Sequence, residues 1–186
     1  MTYTLAIIPC TGQKDPDLKE APAEEIWVGN HFQLTLAYAE LFFDKVMVMS
    51  YKYGLILPSD TIETYDINMK NEKARMRIRW WYLLKAQIDK MAKDDPPTLV
   101  GLFTGFFERD RVIREFVKNG VDQIVVPWEG LGIGQRQAAV YDAEAPFDPE
   151  KLKRGEYKYE LDATGSATAN RYLPPPTKIV GEIEWE

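Results

Sequence analysis

Four short, nearly continuous apolar runs set the frame of this chain: residues 3–9, 45–50, 98–103 and 123–127. Runs of this length without polar alternation are the pattern of strands covered on both faces, as in a parallel sheet. Each run breaks at its carboxyl end into a small, polar or glycine-bearing loop: residues 10–14, 50–54, 104–107 and 127–134. Between the runs lie segments with helical spacing of apolar residues, at 31–43, 70–93 and 109–118, and another helix begins at 135–141. Pro96 and Pro97 end the long second helix, and Asn119-Gly120 reads as a C-cap of the third. Strand and helix alternate, which predicts a three-layer α/β/α domain with a mainly parallel sheet over residues 1–144. Beyond that point Pro146, Pro149, Pro174, Pro175 and Pro176 accumulate, with strand-like pieces at 157–161 and 178–185. Residues 145–186 therefore read as a C-terminal extension, partly β.

The residue inventory removes whole classes of chemistry. One cysteine, Cys10, cannot form an intramolecular disulfide, and with one histidine, His31, it cannot build a Cys/His zinc or iron–sulfur site. No metal site and no cofactor is expected. No apolar stretch is long enough to span a bilayer, and the first ten residues lack the basic region of a signal peptide. A cytoplasmic chain without a membrane partner is the expectation. The 186 residues suit one domain with a real core.

Ligands of open α/β sheets bind beyond the carboxyl ends of the strands, where all four unusual loops fall. The first, Cys10-Thr11-Gly12-Gln13-Lys14, offers backbone N–H groups, a hydroxyl and a cation, which suits an anion such as phosphate. It lacks the spacing of a Walker A loop. Cys10 is a candidate nucleophile if its thiolate is activated, and a buried structural thiol otherwise. The second loop holds Ser50 and Tyr53. The fourth, Trp128-Glu129-Gly130-Leu131-Gly132-Ile133-Gly134, lets a backbone approach closely at Gly130 and Gly134 and presents the Glu129 carboxylate. Segment 60–66 adds Asp60, Glu63 and Asp66 around Tyr65. Carboxylates that stabilise an oxocarbenium-like centre and aromatics that stack a base are the equipment of glycosidic-bond chemistry. Asp66, Glu129 and Cys10 are the candidate catalytic residues. Lys14, Ser50, Tyr53, Tyr65, Trp128, Gly130 and Gly134 are candidates for substrate binding.

Charge is distributed unevenly. Residues 70–93 carry eight lysines and arginines against Glu72 and Asp89, a net +6 that leaves −12 on the rest of a chain of net charge −6. Lys73, Arg77, Trp81 and Lys85 recur every four residues, a basic stripe with one aromatic that could track phosphates and stack a base. A solvated helix face is the plain alternative.

The segments IIPCTGQK, IWVGNHF, AYAELF, VMVMSYKYGLILPSDTIETYD and VVPWEGLGIGQ resemble a family of small, often phage- or prophage-borne α/β proteins. Its pattern runs Cys-x-x-x-Lys, aromatic-x-Gly, Ser-x-x-Tyr-Gly-Leu-x-x-Pro, Tyr-Asp and a late Pro-x-x-Gly-x-x-x-Gly. The matching positions are Cys10, Lys14, Gly29, Ser50, Tyr53, Gly54, Leu55, Pro58, Tyr65, Asp66, Pro127, Gly130 and Gly134. The chain departs from the pattern at Tyr51, where the family commonly has alanine, and in its extension. It is more distantly similar to YaaA-type peroxide-stress proteins and to domains that accompany deazaguanine-modification enzymes. The resemblance implies nucleotide or nucleic-acid modification. The expected function is an enzyme acting at the N-glycosidic bond of a base, such as a DNA glycosylase or deoxyribosyltransferase, with a nucleotide, DNA or RNA as substrate. The alternative is a noncatalytic nucleic-acid-binding or host-interaction protein.

Overall fold

The computed structural model describes residues 2–104 and 106–169. The elements in chain order are β1 (Thr4–Pro9), β2 (Glu20–Pro22), α1 (Ala23–Ile26), α2 (Asn30–Phe42), β3 (Lys45–Ser50), β4 (Gly54–Ile56), β5 (Thr61–Glu63), α3 (Ala74–Asp94), β6 (Leu99–Leu102), α4 (Phe106–Lys118), β7 (Ile124–Val125), α5 (Ile133–Asp142), α6 (Pro149–Lys153), β8 (Tyr159–Leu161) and β9 (Ala167–Ala169). The four apolar runs become β1, β3, β6 and β7, the parallel strands of a five-stranded sheet ordered β4-β3-β1-β6-β7. β4 folds back antiparallel on β3 and forms one edge.

Alternation along β1 divides the core in two. Ala6 and Ile8 pack on one face with Trp27, Phe32, Leu36 and Ala39, from the end of α1 and from α2. Leu5 and Ile7 pack on the other with Leu84 and Ile88 of α3 and Val112 and Phe116 of α4. All these residues are buried, each such large side chain contributing about 1.5–3 kcal/mol. The result is the three-layer α/β/α arrangement with a mainly parallel sheet that the sequence predicts. At Gly101 of β6 a Cβ would stand 2.3 Å from the Phe43 ring, so only glycine lets that ring lie on the sheet.

Two boundaries move for local reasons. The long helix starts at Ala74, not at 70, because Asn68 turns the chain: its Oδ1 accepts from Lys70 N at 3.1 Å and its carbonyl from Asn71 N at 2.9 Å. Only Leu84 and Ile88 of its apolar stripe are fully buried, while Met76 and Leu83 are exposed. The small ribbon of β2 and β5, absent from the sequence reading, carries the chain across to Tyr65.

Part of the extension packs on the core. Tyr38 Oη donates to the Glu144 carbonyl, Phe147 packs at a tilt against Phe43 with ring centroids 5.4 Å apart, and Tyr157 and Tyr159 are buried. Ile124 N donates to the Tyr157 carbonyl at 2.9 Å and Tyr159 N to that of Asp122 at 2.8 Å, so this segment runs beside β7. The strand-like piece at 178–185 and the prolines at 174–176 lie outside the described residues, as does Gly105 of the third loop. Among the described residues no helix is long and apolar enough to cross a membrane.

Candidate active site

The site grows from the adjacent carboxyl ends of β1 and β3. Pro9 pairs with Met49, and Cys10 N donates to the Met49 carbonyl at 3.2 Å, which sets Cys10 beside the turn that follows Ser50. Ser50 is fully buried. Its Oγ accepts from Lys52 N at 3.3 Å and Tyr53 N at 3.1 Å, so the hydroxyl shapes the β3–β4 turn. Gly54 closes that turn at φ +73°, where Gln87 Oε1 would lie 2.0 Å from a Cβ. The same Ser50 Oγ shares a hydrogen bond with Tyr65 Oη at 2.7 Å. Trp80 of α3 donates its Nε1 to the Ser50 carbonyl at 2.8 Å and meets Tyr51 edge to face at 5.5 Å.

Tyr51 reaches the other way. Its hydroxyl donates to Glu108 Oε1 at 2.9 Å. Glu108 sits in the first turn of α4, where the helix dipole favours an anion, and is only 8% exposed. Lys14 Nζ lies 4.9 Å over the Tyr65 ring, and Tyr53 packs on that ring at 5.9 Å. The structure thus brings together Cys10, Lys14, Ser50, Tyr53 and Tyr65 of the sequence candidates. It adds Tyr51, Trp80 and Glu108. Asp66 follows Tyr65 and is exposed.

Burial governs the electrostatics. It pushes the Cys10 thiol up; the Tyr51 amide, the Tyr65 hydroxyl and the Lys14 charge pull it back, and Glu108 adds to the rise. Burial also raises Tyr51, with Glu108 reinforcing it, and raises Tyr65, with Cys10 reinforcing it. At neutral pH the three groups are therefore protonated, and Tyr51 is a neutral donor to the Glu108 carboxylate. A resting thiol without an imidazole among its polar partners favours a structural Cys10 over a nucleophile.

Among the described residues, three polar atoms at this edge of the sheet are buried without a hydrogen-bond partner: Thr11 Oγ1 after β1, Thr104 Oγ1 after β6 and Trp128 Nε1 after β7. Leaving such a group unpaired costs about 1–3 kcal/mol, which a ligand with complementary groups can recover.

The β7 end holds the remaining candidates. β7 lies two strands from β1, roughly 10 Å away at ordinary strand spacing. Glu129 is ion-paired with Arg109 Nη1 at 3.0 Å. Trp128 is a core residue, 4% exposed, with Phe103 at 4.7 Å, Tyr38 at 5.8 Å and His31 at 5.9 Å around its ring, so it has no free face for a base. Gly130 adopts φ +76°, and Gly134, the second residue of α5, has free space at its Cα.

The basic stripe on α3 is open to solvent at its start and turned toward α4 further along. Lys85 Nζ pairs with Asp89 Oδ2 and with the buried Glu115 Oε1 of α4, both at 2.6 Å. Arg111 of α4 lies 5.8 Å over the Trp81 ring. Lys73, the N-cap, is exposed, and Arg77 is half-buried. Four-residue spacing fixes a common face but not its direction, and here that face turns toward α4 and the sheet. Among the described residues no group of three or more His, Cys, Asp and Glu is placed to hold a metal ion.

Glu108 was the missed residue. Its signal is an acid in the first turn of a helix directly after a strand-end loop, a position that faces the ligand side of such a sheet. Tyr51 stood out in the sequence only as a departure from a pattern.

No solved structure matches the chain. A curated relative, the uncharacterized protein YfjM of Bacillus subtilis (strain 168), is 34% identical over 68 residues, 34% of this chain and 45% of that protein. The matched segment thus spans less than half of the relative's length. A family model matches residues 5–142, from β1 through α5 and so across the strand ends that build the site; the chain belongs to DUF6884, a family of unknown function.

Proposed function

We propose that this chain is an enzyme acting at the N-glycosidic bond of a base, in a nucleotide or within DNA or RNA, by hydrolysis or base exchange. The observation that carries the reading is the Glu108 carboxylate, buried at the carboxyl edge of the sheet and held by the Tyr51 hydroxyl beside the Cys10, Ser50 and Tyr65 network. A carboxylate in a partly desolvated position stabilises the positive charge that develops on the sugar as the C1′–N bond breaks. Asp66, exposed next to Tyr65, supplies a second carboxylate to activate water or the incoming base. The residue 10–14 turn with Lys14 receives phosphate, and Tyr53 and Tyr65 offer rings for the base. The resemblance to a family of small, often phage-borne proteins, and more distantly to YaaA-type and deazaguanine-associated ones, supports the same substrate class. Glu108 replaces Glu129 as the central carboxylate, because Glu129 is paired with Arg109 at the far end of the sheet edge.

The test is base release, read by liquid chromatography and mass spectrometry, from nucleotides and from oligonucleotides with ordinary and modified bases. Glu108→Gln is expected to lower release at least a hundredfold with the fold intact, and Asp66→Asn at least tenfold. Release that survives Glu108→Gln unchanged overturns the assignment of roles. No release from any substrate of the panel overturns the reading.

A further inference from the structure

The face of α3 that meets solvent is not the one the four-residue stripe marked. Arg75, Ile78, Arg79 and Tyr82 stand at i, i+3, i+4 and i+7, one side of a helix, opposite the buried Leu84 and Ile88. Ile78 is 55% exposed and Tyr82 66%, with Met76 and Leu83 exposed along the margin. Arg75 and Arg79 are exposed and enter no ion pair among the described residues. Two exposed guanidinium groups therefore flank an open aromatic ring and an aliphatic side chain.

We infer that this face docks a single-stranded nucleic acid, which makes a polymer, rather than a free nucleotide, the substrate of the site. The inference rests on the glycosidic reading given above and deepens it. Arginines bind the phosphate backbone, and an exposed tyrosine stacks unpaired bases of any sequence. The helix is tied to the site on its other side, where Trp80 donates to the Ser50 carbonyl, and residues 66–73 join Tyr65 to its first turn.

Charge selects this occupant over a second copy of the chain. Residues 75–82 carry Arg75, Arg77 and Arg79 and no acid, and a two-fold contact would set that charge against itself. A polyanion meets complementary charge along the same face.

The experiment is fluorescence anisotropy with a labelled, mixed-sequence single-stranded DNA 20-mer across a salt series. The double variant Arg75→Gln/Arg79→Gln is expected to weaken binding at least tenfold and to flatten the slope of log K against log salt by about 1.4, two contacts' worth on a single strand. Tyr82→Ala is expected to weaken binding about tenfold. Circular dichroism confirms that the variants remain folded. Binding unchanged in these variants, no binding by the unaltered protein, or sedimentation showing a dimer that Tyr82→Ala dissolves each overturns the inference. Anisotropy reads binding without turnover. A protein that binds through this face but releases no base therefore overturns the glycosidic reading alone. One that releases base through Glu108 but binds without Arg75, Arg79 and Tyr82 overturns the docking alone.

Discussion

Tyr51 and Glu108, 57 positions apart, are joined by a 2.9 Å hydrogen bond that ties the β3–β4 turn to the first turn of α4. The two elements belong to different strand–helix units of the sheet. Their link bridges the end of β1, which lies between β3 and β6.

Tyr51→Phe keeps the ring on Trp80 and removes only the donor. A hydrogen bond to a charged group is worth about 1.5–3 kcal/mol, so the melting temperature is expected to fall by roughly 3–10 °C. Calorimetry checks this, and an unchanged melting temperature would show that solvent replaces the hydroxyl without loss.

Gly101→Ala drives a methyl group to 2.3 Å from the Phe43 ring. Overpacking of this kind costs about 1–3 kcal/mol. The double variant Gly101→Ala/Phe43→Leu is expected to recover part of that loss, and a double-mutant cycle in urea measures it. Additive losses would mean that the ring moves aside freely.

Cys10 is expected to react slowly with iodoacetamide at pH 8, at least tenfold slower than a free thiol, because burial holds it protonated. Tyr65→Phe removes a hydrogen bond that favours the thiolate, so the rate profile should move further toward alkaline pH. A profile that moves the other way contradicts the arrangement.

His31 reports on acid stability. Burial, followed by the Arg136 charge, lowers its pKa below the ordinary value of 6.5. The unfolded chain therefore takes up the proton first as pH falls. The folded state keeps its full stability above that ordinary value and loses it below, levelling off under the folded pKa. The ring is only partly buried, so the slope is a fraction of the one-proton limit of about 1.4 kcal/mol per pH unit. Urea unfolding at pH 7.5 and 5.5 should show a smaller acid loss in His31→Gln than in the parent chain.

The parallel strands and the helices between them were legible because apolar runs and helical spacing are local signals. β3 begins and ends where the run of residues 45–50 does. β2, β4 and β5 escaped because three-residue strands carry almost no periodicity, and their pairing is decided by partners far along the chain. At the site, Cys10, Ser50 and Tyr65 could be named from their loops. Glu108 could not be joined to them, since the bond to Tyr51 exists only once β3 and α4 are packed. The direction of the α3 face depended on Glu115, a buried acid of α4 that captures Lys85 and turns the stripe inward.

The segment at 157–159 closes the exposed side of β7 with main-chain bonds from Ile124 N and Tyr159 N. β7 itself has only two residues and few means of its own to deter another strand. A chain cut at residue 142, where the family match ends, would leave that row of amides and carbonyls open to any extended peptide, the usual seed of edge-to-edge aggregation. What looks in the sequence like an appendage thus guards the solubility of the sheet.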